Sequence, residues 1–113
     1  MVSLRIRSRQ WIVDEADQII MGEGRKEILE TIEKTGSINQ TAKIMKMSYK
    51  GVWGRIKATE SYLNQKIVNA DRKNGTRLTA EGKALLEKYR TLKACCIEAD
   101  NRCFDQLFKE TDE

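Results

Sequence analysis

Between Gly36 and Lys57 the chain reads GSINQTAKIMKMSYKGVWGRIK, and its second half sets Lys50, Arg55 and Lys57 beside Tyr49 and Trp53. Cations on a short helix neutralise phosphates or reach guanine edges, and aromatic rings can lie on a sugar or a thymine methyl. Ser48, just ahead, can cap such a helix and bring its N-terminus near a phosphate. This is the chemistry of holding a polyanion rather than of breaking a bond. The chain has no histidine, which removes the commonest general base and every catalytic triad or dyad built on it. Cys95, Cys96 and Cys103 contain no CxxC spacing, so a zinc site lacks its ligands. An odd number of cysteines without a signal sequence also argues against a disulfide framework. No enzyme, metal or cofactor is expected.

The charge distribution points the same way. Residues 1–40 hold 6 Lys/Arg and 7 Asp/Glu, residues 41–79 hold 9 and 2, and residues 80–113 hold 6 and 8. The net charges of −1, +7 and −2 make up the overall +4. A basic middle between two slightly acidic ends is an electrostatic footprint for nucleic acid. A solvated basic surface would leave the same composition, but this stretch coincides with the motif above. No segment approaches the roughly 18 apolar residues of a membrane helix. The N-terminal MVSLRIRSRQ has no apolar core of a signal peptide, so a cytoplasmic location is expected, with no membrane partner.

The elements that must position these residues follow from periodicity. Leu4 and Ile6 alternate with Arg5, Arg7 and Arg9, and Ile19-Ile20-Met21 returns after a polar turn, which predicts an N-terminal β-hairpin over 4–21. Ile28, Leu29 and Ile32 share one face of a helix that Gly36 ends. Ser37 caps a second helix with Ile38, Ala42, Ile44 and Met45 on its apolar side. Ser48 then opens a third, from Tyr49 to about Leu63, whose stripe of Val52, Ile56, Thr59 and Leu63 faces inward. Two helices joined by so few residues make a helix-turn-helix, here over 38–63. Gly51 and Gly54 each cost a helix roughly 1 kcal/mol relative to Ala and imply close approach. For Gly51 the expected neighbour is the first helix of the motif. For Gly54 that helix and the DNA backbone are both open. Trp53 is equally open between contact with DNA and packing against the hairpin or preceding turn.

After the third helix, Lys73-Asn74-Gly75 separates two extended runs, and Asn-Gly there predicts a tight hairpin, because both residues tolerate positive φ. With Arg72, Lys73 and Arg77 at its tip this is a basic wing over 66–79. Thr79 caps a long helix from Ala80 to about Phe108, in a chain without proline to break it. Leu85, Tyr89, Leu92, Cys96, Ala99 and Cys103 recur at alternating spacings of four and three, a seam of about three heptads. The helix spans roughly 40 Å, longer than so small a domain covers. A partner helix from a second copy is one solution; lying back over its own core is the other. The cysteines in the seam read as small hydrophobes, with a redox switch as the alternative.

Gly36-Ser37-Ile38, Thr41-Ala42, Met47-Ser48-Tyr49-Lys50, Trp53 and Arg77-Leu78-Thr79-Ala80-Glu81-Gly82 resemble the DNA-binding domain of ModE-type molybdate-responsive regulators, a winged helix related to the LysR type. MSYKGVW is the most specific piece, and RLTAEG is shared more widely among winged helices. The resemblance covers about residues 4–92. It implies a dimeric, sequence-specific DNA-binding regulator, and it carries Ser48, Tyr49, Lys50 and Trp53 onto that family's recognition-helix motif. The wing is shorter than the glycine-rich wing common in the family. Nothing after residue 80 resembles the molybdate-binding domains into which its members continue.

The expected architecture is mostly α with a small β part (α+β). Residues 1–79 form a winged helix-turn-helix with an N-terminal hairpin, and residues 80–113 a dimerisation helix. The expected partners are double-stranded DNA and a second copy of the chain. DNA contacts are expected from Ser37, Asn39, Gln40, Ser48, Tyr49, Lys50, Trp53, Arg55 and Lys57, and in the wing from Arg72, Lys73, Asn74 and Arg77. The dimer seam is expected at Leu85, Tyr89, Leu92, Cys96, Ala99 and Cys103. A link to molybdate or metal-oxyanion transport genes is the further expectation. The alternatives are a winged-helix protein-interaction module and a cysteine-based redox-responsive regulator.

Overall fold

A computed structural model describes residues 2–109. The elements run β1 (Ile12–Val13), β2 (Ile19–Met21), α1 (Glu23–Thr35), α2 (Ile38–Met45), α3 (Tyr49–Leu63), β3 (Val68–Asp71), β4 (Gly75–Leu78) and α4 (Ala80–Phe108). This is the expected winged helix, mostly helical with two small antiparallel hairpins. Residues 110–113 of the long C-terminal segment lie outside the described residues.

Capping sets the helix boundaries. Gly36 ends α1 in the left-handed conformation, φ 68°, and its N–H reaches the Ile32 carbonyl. The hydroxyls of Ser37, Ser48 and Thr79 accept from the backbone N–H three residues on, opening α2, α3 and α4. Ile28, Leu29 and Ile32 of α1 meet Val52 and Ile56 of α3, Ile67, Val68 and Leu78 at the wing root, and Leu86 and Tyr89 of α4 in one core.

Several sequence expectations are corrected. The N-terminal hairpin is far shorter than 4–21, with the ladder limited to Ile12↔Met21 and Val13↔Ile19. Beyond Met21 the returning chain turns into α1, so residues 4–10 have no strand to pair with. That segment lies against α4 instead: Tyr89 Oη donates to the Gln10 carbonyl (2.7 Å) and Ser8 Oγ to Asp100 (2.6 Å). Ile44 stands 57% exposed on α2, where Thr41 is buried instead. Leu63 is on the surface at the end of α3, and the inward position beyond Thr59 belongs to Glu60. At the wing tip only Gly75 takes positive φ (80°). Asn74 does not, because Asp71 shapes the turn by accepting from the Lys73 N–H (2.8 Å) and Asn74 Nδ2 (2.9 Å).

The wing, α3 and α4 meet at Ile67. The Glu60 carboxylate accepts from the N–H of Ile67 (2.9 Å) and Val68 (3.2 Å). The Ile67 carbonyl accepts from Thr79 N–H, and the Lys66 carbonyl from Thr79 Oγ1 (2.6 Å). The first turn of α4 crosses this strand so closely that a Cβ on Gly82 would overlap the Ile67 carbonyl oxygen. Gly82→Ala should therefore cost about 3 kcal/mol, the upper end of overpacking. Gly24→Ala, where a Cβ would meet nothing within 4 Å, should be neutral or slightly stabilising. Urea unfolding of the two variants checks the contrast; equal stability would refute the close crossing.

Candidate nucleic-acid interface

On α3 the buried side is Val52, Ile56, Thr59 and Glu60. At 3.6 residues per turn the opposite face centres on Gly54, where an added Cβ would meet nothing within 4 Å. Lys50 and Lys57 flank that centre on one side, and Gly51 and Arg55 on the other. Close approach at Gly54 is thus open to a molecule outside the chain and is not used by α2. At Gly51 the near neighbours of a Cβ would be Ser48 Oγ (3.1 Å), Met47 and Arg55, so the expected helix–helix contact is replaced by a local one within the turn and α3.

The proposed contact residues divide into free and engaged groups. Tyr49, half exposed, and Lys50 project from the first turn of α3. Asn39 and Gln40 are exposed on the first turn of α2, and Arg72, Lys73 and Arg77 are exposed on the wing. The hydroxyls of Ser37 and Ser48 already serve as caps, accepting from Gln40 N–H (3.1 Å) and Gly51 N–H (2.9 Å). Asn74 is tied to Asp71. Trp53 is half-buried and packs against the core. Lys57 Nζ lies 4.5 Å above its ring centroid and 3.1 Å from Glu60 Oε1, which pins this cation to its own helix. Arg55 Nη1 donates to the Gly51 carbonyl at 3.1 Å.

The seam residues also divide. Tyr89 is withdrawn from the seam into the core of its own chain, 1% exposed, with its hydroxyl on the Gln10 carbonyl. Burial raises its pKa, reinforced by Glu23. Leu85 is partly buried against the core. Leu92, Ala99 and Cys103 are exposed and Cys96 is half-buried. The 4-3 spacing cannot tell which side of α4 the protomer covers. The stripe through Leu86 and Tyr89 faces the body, and the one through Leu92, Cys96 and Cys103 does not.

Sequence periodicity missed three working residues. The basic stretch 41–79 contains two acids, Glu60 and Asp71, and each accepts backbone N–H groups at one end of the wing. Their rarity in that stretch was the available signal. The third is Arg25 of α1, whose Nε approaches the Arg55 carbonyl at 3.5 Å. Nothing in the linear sequence brings positions 25 and 55 together.

Burial works to raise the Glu60 pKa, but the Ile67 and Val68 amides, with Lys57, outweigh it and hold the carboxyl below its ordinary range. A folded pKa below the unfolded one gives stability that is complete above about pH 5 and is lost as pH falls through the folded value. Glu60→Gln should remove that part of the acid-side slope and cost about 1–3 kcal/mol at neutral pH. Urea titrations at pH 7 and pH 4 test this. A variant as stable as wild type at pH 7 would show that the wing root does not depend on the carboxylate.

Comparison with known proteins agrees with this geometry. Residues 25–83 match the family model of the bacterial regulatory helix-turn-helix proteins of the lysR family. The chain is 30% identical over 95 residues to the molybdenum transport protein ModE of Azotobacter vinelandii, covering 80% of this chain and 35% of that protein. It is 37% identical over 73 residues to the transcriptional regulator ModE of Haemophilus influenzae, covering 61% and 29%. The chain thus spans about a third of the length of these curated relatives. Among solved structures the fold resembles the CbnR DNA-binding domain in complex with DNA (TM-score 0.57, 22% identity, 70% of this chain and 90% of that one). It also resembles Vibrio fischeri DarR bound to DNA (TM-score 0.56, 23% identity, 74% and 28%).

Proposed function

The chain belongs to the bacterial regulatory helix-turn-helix proteins of the lysR family, and on that premise we propose that it is a sequence-specific regulator of transcription that binds double-stranded DNA as a homodimer. The observation that carries the reading is the outer face of α3. An open glycine stands between flanking cations, with Tyr49 and Lys50 exposed at the capped N-terminus. DNA's major groove admits one helix, N-terminal residues toward the bases. In this reading Lys50 and Tyr49 meet base edges, Asn39 and Gln40 meet the backbone beside them, and Arg72, Lys73 and Arg77 follow the backbone or minor groove. Trp53 supports the helix from behind, with Lys57 laid across its ring.

The homodimer rests on α4. The molecule measures 65 Å in its longest dimension against 30 and 22 Å in the others, because α4 runs past the body. Its seam residues Leu92, Ala99 and Cys103 are left on the outside with Cys96 half-buried between them, and Leu107 stands 73% exposed at the far end. A second α4 would cover this stripe. Two of the relatives named above are a molybdenum transport protein and a transcriptional regulator, which supports regulation of molybdate or metal-oxyanion transport genes.

Fluorescence anisotropy with the protein's own upstream DNA and a scrambled duplex, across salt and with and without molybdate, tests the reading. A preference for the cognate duplex with log K falling steeply against log salt is the expected result; no binding even at low salt would overturn it. Lys50→Ala should weaken binding and, where the lysine reads a guanine, cost about 1–3 kcal/mol of discrimination. Equal losses on cognate and scrambled duplexes would make it a phosphate contact.

A further inference from the structure

Arg25 and Arg55 come from different helices and sit side by side. Each lies on the same edge of α3 and leans on an α3 carbonyl. Arg55 Nη1 takes that of Gly51 at 3.1 Å, and Arg25 Nε approaches that of Arg55 at 3.5 Å. The two carbonyls are four residues apart, about 6 Å of helix rise. A Cβ at residue 51 would stand in ordinary contact with Arg55 Nη1, 3.5 Å away, so the guanidinium lies along this edge of the helix. Both guanidinium heads are therefore aligned along one flank of the exposed face.

Among the described residues neither arginine enters an ion pair. This is unlike their neighbours: Lys26, next to Arg25, bridges Glu23 and Glu30, and Lys57 bridges Glu60. Burial, and then the charge of Arg55, lower the pKa of Arg25, as expected for a cation held beside another without an anion. Each guanidinium has five N–H donors in a planar fork, and only one on each meets the protein. Two forks with spare donors, the partly buried Arg25 and the exposed Arg55, on the wall of a groove-binding helix suit phosphate oxygens, which they can take in bidentate fashion.

We infer that Arg25 and Arg55 form a clamp on the DNA backbone along the flank of α3 opposite Lys50 and Lys57. This rests on the DNA-binding reading above and deepens it. Lys50 and Lys57 line one side of the helix, and the arginine pair holds the phosphates of the other, so that α1 as well as α3 sets the depth and angle of entry. A phosphate contact positions without reading sequence.

The test uses the full chain in the anisotropy assay, with Arg25→Gln, Arg55→Gln, the double variant and Arg25→Lys. Each glutamine variant should bind cognate and scrambled duplexes several-fold more weakly by the same factor. Each should also reduce the slope of log K against log salt by about one for each protomer bound, the value of one lost phosphate contact. Arg25→Lys should restore the slope while leaving part of the affinity lost, because a lysine supplies charge without the fork. Thermal melts establish that each variant is folded. Weaker binding by Arg25→Gln with an unchanged salt slope would mean that it only braces α3, and would overturn the clamp. So would wild-type affinity and slope in that variant. If wild-type protein binds no duplex at low salt, the DNA reading fails first and the clamp with it; if it binds and only the arginine slopes stay unchanged, the clamp alone fails.

Discussion

The structure depends on the junction at Ile67, where three working parts are tied to one short stretch of backbone. Glu60, at the end of α3, takes the first two N–H groups of the wing. The carbonyl of Ile67 receives the Thr79 amide that opens α4, and Gly82 lets that helix cross without a side chain in between. A buried carboxylate is costly unless its oxygens are satisfied. Here it is satisfied by backbone that cannot move without breaking the start of the wing. The consequence is mechanical. A helix shaped for a groove, a basic hairpin beside it and a long helix suited to a second copy are held in one geometry. In the proposed homodimer, a change in how the two α4 helices meet would be passed to the spacing of the two α3 helices.

The economy of acids supports the same conclusion. In the basic middle of the chain Glu60 holds the root of the wing and Asp71 its tip, so both negative charges are spent on backbone donors. Asp71 is exposed, yet the Lys73 amide and Asn74 keep its pKa low. The other carboxylates that matter lie on α1. Glu23, held mainly by Lys93, and Glu30, where Arg90 and Lys26 outweigh burial, tie α1 to α4 away from the reading face. The acids of the body thus stiffen the scaffold, while Lys50, Arg55 and the wing cations keep their field for a polyanion.

The N-terminal segment shows how local pattern and tertiary context divide the work. Leu4, Ile6 and the arginines between them alternate as a strand should, but alternation alone does not supply a pairing partner. In the structure Leu4 and Ile6 stay exposed, the segment reaches α4 through Gln10 and Ser8, and residues 4–10 have no strand to pair with because β2 ends at Met21 and the chain enters α1 at Glu23. Tyr89 is the counterpart on the helix. Its seam spacing is genuine, but the arm and the core claim the ring.

The sequence by itself determined the helix-turn-helix, its caps at Ser37, Ser48 and Thr79, the place of the wing, the extent of the long helix and the concentration of positive charge between residues 41 and 79. These are local properties, decided by neighbours within a few residues: a hydroxyl three positions before an amide, a glycine at a left-handed stop, a period of 3.6. Tertiary structure alone decided which side of each helix is inside. That choice buried Tyr89, exposed Ile44 and Leu63, assigned Glu60 to the wing root and brought Arg25 to Arg55. Such pairings join residues from 7 to 79 positions apart. They follow from which surfaces meet when the core closes, and no periodicity within one segment carries that information.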